Sequence, residues 1–126
     1  GPHFWSCGKS SDLLSDVSVT VTPAQPAPGD ALEITLTGKL SKGVTNGTLS
    51  YTVKWNGIQV ASKTENLCAE LKGTSNPCPV SAGPFSFSDK QTLPSSAPSG
   101  NYTFHGVAAA STGDEISCMQ GWFELS

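Results

Sequence analysis

At 126 residues the chain is about one domain long, and charged residues make up only 13% of it, with a formal net charge of -3. Its seven basic residues are all lysines set against ten acids, too few to form the cationic stripe that displaces counterions from nucleic acid. No apolar run approaches the roughly 20 residues that a bilayer crossing requires. Ser, Thr and Asn replace the missing charge, together with 13 Gly and 9 Pro, so the composition predicts a soluble all-β domain of short strands and turns.

The opening Gly1-Pro2-His3 reads as a protease-cleavage scar, which places the domain at residues 4–126. Period-two alternation then predicts the strands. Val17, Val19 and Val21 alternate with Ser18 and Thr20 until Pro23, Pro26 and Pro28 break the ladder. Leu32, Ile34 and Leu36 alternate with Glu33, Thr35 and Thr37; Leu49, Tyr51, Val53 and Trp55 alternate with Ser50, Thr52 and Lys54. Asn56-Gly57 favours the left-handed conformations of a tight hairpin, so Ile58 and Val60 should return antiparallel. Residues 66–84 form an irregular loop pinned by Cys68 and Cys78, with one helical turn at Leu67–Leu71. Phe85 and Phe87 restore the alternation, and 91–100 is a crossing loop with Pro94 and Pro98. Tyr102, Phe104, Gly106 and Ala108 share one face of the penultimate strand, 111–114 turn, and Ile116–Leu125 form the last strand. The sum is an immunoglobulin-like two-sheet sandwich of about seven strands.

Four cysteines without a CxxC pair suit two disulfides and an oxidising compartment better than zinc. Metal sites and catalytic sites find little support. Cys118-Met119 after Phe104 imitates the end of a small copper protein, but lacks the two histidines such a site needs. His105 alternates away from Tyr102 and Phe104 and reads as a structural histidine, and adjacent Asp114 and Glu115 point to opposite faces of a strand rather than forming a carboxylate pair. Nothing resembles a nucleophile elbow, a P-loop or a zinc-protease helix. No enzyme, cofactor or metal is expected.

The inward alternating set comprises Leu32, Ile34, Leu36, Leu49, Tyr51, Val53, Trp55, Phe85, Phe87, Tyr102, Phe104, Met119 and Phe123. Facing Gly106, Ala108 and Gly121, these side chains either interlock as a packed core or line an apolar slot between separated sheets. Periodicity leaves both open. Trp122, on the outward set with Cys118 and Gln120, is expected to cover a terminal disulfide beside Phe4 or Trp5.

The motifs also form an ordered series. Trp5-Ser6-Cys7, Pro26 to Asp30, Thr37-Gly38-Lys39-Leu40, Asn66 to Leu71, Cys78-Pro79-Val80 with Gly83, Leu93-Pro94, Pro98-x-Gly100-x-Tyr102 and the final-strand Cys118 run from Phe4 to Leu125. In this order the chain resembles the ML-domain lipid-recognition family, nearest to phosphatidylglycerol/phosphatidylinositol transfer proteins and Niemann-Pick C type luminal sterol carriers. It lacks the extra early hairpin disulfide of the animal sterol carriers. The resemblance implies sheets prised apart around an apolar cavity lined by the inward set, and disulfides pairing Cys7 with Cys118 and Cys68 with Cys78. It further implies lipid binding or transfer, with a sterol or the acyl part of a phospholipid as ligand and transient contact with membranes or a lipid acceptor. A monomer in a secreted or endolysosomal/vacuolar location follows, and Asn46 and Asn101 fit glycosylation sequons. With no Arg, Lys39, Lys42, Lys54 or Lys63 is the most that a phosphate could meet, so headgroup discrimination should be modest. The competing expectation is a packed immunoglobulin-like adhesion or carbohydrate-binding module without a lipid cavity.

Overall fold

A computed structural model describes residues 3–126. Eight strands and one short helix follow in chain order: β1 (His3–Ser6), β2 (Leu14–Thr22), β3 (Ala31–Leu40), β4 (Gly47–Trp55), β5 (Ile58–Asn66), α1 (Leu67–Leu71), β6 (Gly83–Thr92), β7 (Gly100–Ala110) and β8 (Glu115–Leu125). All pairings are antiparallel. A five-stranded sheet has the order β1-β8-β7-β4-β5 and faces a three-stranded sheet of order β2-β3-β6. The expected two-sheet sandwich is present with eight strands instead of about seven. The addition is β1, whose four residues are too short to display a period. It begins at His3, one residue before the domain start expected at Phe4, while Gly1 and Pro2 lie outside the described residues.

Local chemistry accounts for the connections. Asn56 and Gly57 take φ of 47° and 85°, the left-handed pair that matches the twist of the β4–β5 hairpin. Asn66 caps α1 by accepting from the Ala69 amide at 3.0 Å. The loop after β6 is tied inward because the Tyr102 hydroxyl donates to the Pro98 carbonyl at 2.8 Å and the Trp55 indole to the Ser99 carbonyl at 3.0 Å. Both disulfides form as the resemblance implied: Cys7–Cys118 joins the segment after β1 to β8, and Cys68–Cys78 ties α1 to the following loop.

The core is divided. One buried cluster, at the α1 end, gathers Leu13, Leu14, Leu40, Val44, Leu71, Val80, Ala108, Ala110 and Ile116. A smaller one, at the opposite end, consists of Leu32, Phe123 and Leu125, covered by Leu93 and Ala97 of the crossing loop. β1 approaches β2 closely at one side of the sandwich, whereas β5 and β6, the outer strands on the other side, form no comparable seam.

Candidate functional site

Between the two buried clusters lies the inner band of both sheets. Cross-strand register places Phe4, Phe104 and Val53 in one row of the larger sheet, and Met119, Gly106 and Tyr51 in the next. On the smaller sheet, Ile34 and Leu36 of β3 stand beside Asp89 and Phe87 of β6. Of the thirteen inward residues read from the sequence, Leu32 and Phe123 are buried, and every other is only half-buried. An ordinary sandwich interior closes over such side chains as densely as an organic crystal. Here Leu36, Leu49, Phe85 and Phe87 pack half-buried against the first cluster and Phe4, Ile34 and Tyr102 against the second, while Tyr51, Val53, Trp55, Phe104 and Met119 of the larger sheet are half-buried outside both clusters.

Two glycines explain how that band is shaped. A Cβ at Gly121 would overlap the Phe4 ring, and one at Gly106 would stand 3.0 Å from the ring of Phe104 and 3.6 Å from Tyr51. Bare backbone at these two positions lets the rings lie down on the sheet rather than project across to the other one. Phe4 and Phe104 are 6.4 Å apart between centroids, and Phe104 stacks on Tyr51 at 5.7 Å. Towards the smaller cluster Tyr102 and Phe123 stack nearly parallel at 5.2 Å, and burial pushes the Tyr102 phenol up. Phe4 thus belongs to the inner face, which leaves Trp5, of the two neighbours expected for Trp122, on the outer face. Trp122 does face outward, but its ring neighbour is His3 at 6.4 Å, which in turn lies 5.2 Å from Trp5.

The charged and polar candidates separate by face. Lys39 lies on the outer face of β3, Lys54 on the outer face of β4 near His105, and Lys42 is held by Asp114 at 3.1 Å. Only Lys63 stands opposite inward-facing Tyr51, on the open edge strand β5. His105 is exposed on the outer face, with Nε2 3.6 Å from the disulfide sulfur of Cys118; three potential donor atoms converge there, but two belong to the disulfide. Asn46 and Asn101 are both exposed. Asp114 and Glu115 remain apart as expected, yet Glu115 meets Asp12, a partner 103 positions away along the chain and invisible to local reading. Also unforeseen are Asp89 and Gln91, which continue the inward row of Phe85 and Phe87 on β6.

Comparison with known proteins fits this architecture. The profile described as "ML domain" matches residues 2–125. The chain belongs to the ML-domain family. Among its relatives, the phosphatidylglycerol/phosphatidylinositol transfer protein of Aspergillus fumigatus is 29% identical over 94% of this chain and 68% of its own length. The protein of the same name from Emericella nidulans is 32% identical over 87% of this chain and 66% of its own. Two solved structures share the fold of this ML domain. A Niemann-Pick type C2 protein from the Japanese carpenter ant aligns with TM-score 0.70 at 12% identity, over 98% of this chain and 99% of the other. Chicken MD-1, complexed with lipid IVa, aligns with TM-score 0.68 at 18% identity, over 96% of this chain and 86% of the other.

Proposed function

We propose that this ML domain, taken as one unit over residues 4–126, is a soluble lipid-binding and lipid-transfer protein that holds a sterol or the acyl part of a phospholipid between its sheets. The half-buried apolar band between two closed core clusters carries this reading. The eleven half-buried inward residues, with Phe4 added, form the lining, and Leu32 and Phe123 close its end. Each methylene withdrawn from water contributes about 0.8 kcal/mol, so a chain of a dozen carbons offsets much of the cost of leaving a bilayer. The ligand enters at the β5–β6 side, where the described residues form no seam comparable to that of β1 with β2. Ile58 and Val60 of β5, exposed to 61% and 56%, supply the apolar surface for transient contact with a membrane or acceptor.

No step of this function requires a cofactor or a catalytic group, and the named relatives are transfer proteins. The two disulfides favour an oxidising compartment, and we place the protein in a secreted or endolysosomal/vacuolar lumen, as a monomer with Asn46 and Asn101 open to glycosylation. Native mass spectrometry of the intact chain after incubation with phospholipid vesicles or a sterol tests the proposal. A one-to-one lipid adduct, displaced by excess unlabelled lipid, is expected. A chain that stays ligand-free and also excludes a fluorescent sterol and a fluorescent acyl lipid defeats it in favour of a packed module.

A further inference from the structure

The inner row of β6 changes character along its length. Phe85 and Phe87 face the larger core cluster, and the next two inward positions, paired with Ile34 and Leu32 of β3, are Asp89 and Gln91. Their outward neighbours are accounted for separately: Ser88 shares a hydrogen bond with Thr35 at 2.9 Å, and Lys90 pairs with Glu33 at 3.7 Å, both on the other face. Asp89 is half-buried, and the amide of Gln91 donates to its Oδ2 at 2.8 Å. That bond orients both side chains, and it leaves Oδ1 of Asp89 and Oε1 of Gln91 without a protein donor among the described residues. A carboxylate and an amide oxygen, held together on an otherwise apolar face at the open edge of the sandwich, form an acceptor pair.

We propose that Asp89 and Gln91 form a hydrogen-bond-accepting site at the slot mouth that selects lipids presenting hydroxyl donors, whether the polyol headgroup of a phospholipid or the hydroxyl of a sterol. This rests on the lipid-carrier reading above and revises the modest headgroup discrimination expected from the lack of arginine. The Asp89 carboxylate offers phosphate oxygens no donor and its charge repels them, which outweighs the one remaining N–H of the Gln91 amide. The phosphodiester of a charged lipid therefore turns towards Lys63 on the facing edge strand, and its glycerol or inositol hydroxyls towards β6. A hydroxyl donating to a carboxylate strengthens binding by roughly tenfold or more.

The test compares two dioleoyl lipids of equal charge, phosphatidylglycerol and phosphatidylmethanol, which lacks the headgroup hydroxyls, together with a sterol and its methyl ether. Affinities are read by displacement of a fluorescent fatty acid from the intact 126-residue chain. The wild type should favour each hydroxylated lipid about tenfold over its hydroxyl-free match. Preference confined to phosphatidylglycerol identifies a headgroup polyol as the source, and preference confined to the sterol pair a sterol hydroxyl. Asp89→Leu should remove the preference while retaining uptake, and Gln91→Leu, which leaves the carboxylate in place, should reduce it. Equal affinity within both pairs, or a preference that survives both substitutions, overturns the site while leaving lipid carriage intact. Failure of the wild type to take up the fluorescent fatty acid or any of the four lipids overturns the carrier reading itself.

Discussion

Two carboxyl groups show how single residues respond to partners that sequence spacing conceals. Glu115 shares a hydrogen bond with Asp12, which, with burial and the Asp12 charge, raises its pKa above the ordinary 4.5; Lys9 and His105 oppose the shift. Oδ1 of Asp12 is buried without a hydrogen-bond partner. The folded state therefore holds the Glu115 proton more tightly than the unfolded chain. The resulting stability is fully present below about 4.5 and is lost as pH rises through the raised folded value. Its neighbour behaves oppositely: the Thr112 hydroxyl and Lys42 hold the Asp114 carboxyl down, so its contribution is present above the ordinary 3.8 and lost as pH falls through the lowered value. Urea unfolding should find Glu115→Gln more stable than the wild type at pH 7 and level with it near pH 4, since glutamine keeps a donor without charge. A difference independent of pH would contradict the pair. Gly121 offers a second residue-scale prediction. Gly121→Ala forces the Phe4 ring off β8 and should destabilise the fold by about 1–3 kcal/mol. Adding Phe4→Ala should recover part of that loss in a double-mutant cycle, and strict additivity would rule out the contact.

At the scale of elements, regular alternation was readable and its interruptions were not. The β4–β5 hairpin follows from Asn56-Gly57 and the flanking apolar pattern, and α1 falls at Leu67–Leu71 where the helical turn was expected. By contrast, β6 extends to Thr92, past the point where Asp89 and Gln91 end its apolar series, because it pairs with β3 along its whole length. A pattern-based reading ends a strand where its hydrophobic face ends, even when hydrogen bonding continues. The α1 region depends on its crosslink: Cys68–Cys78 spans a separation of 10 and anchors the segment carrying Leu71 and Val80, both part of the larger cluster. Replacing both cysteines by alanine should lower stability by about 3 kcal/mol on loop-entropy grounds. Calorimetry should show the loss as a reduced Tm, and an unchanged Tm would mean that the cluster holds this segment without the bond.

For the whole molecule, the unequal closure of the interior matters most. The two clusters hold the sheets together, and the proposed lipid site uses the half-buried inward residues outside their buried cores. Among the described residues β1 packs against β2 at one side of the sandwich, and the proposed entrance lies on the opposite side. Lipid should accordingly stabilise the protein, because a ligand bound by the folded chain alone raises its stability with concentration.

The sequence by itself determined the all-β class, the turns, the inward identity of thirteen apolar side chains and, through ordered motifs, the ML family and its disulfide pairing. The class, the turns and the inward alternation are encoded in local periodicity and spacing, whereas the disulfide pairing was implied by the family resemblance. Whether the inward residues interlock or stand apart is decided at the tertiary level, because sheet separation depends on how distant side chains meet. Phe4 lies against Gly121, Phe104 against Gly106, and these contacts across 117 and 2 positions flatten rings that could otherwise have filled the gap. Tertiary structure also placed Lys63, of the four lysines considered, opposite inward-facing Tyr51 and brought Asp12 to Glu115, since which face or neighbour a side chain meets is decided by strand register, not by residue type.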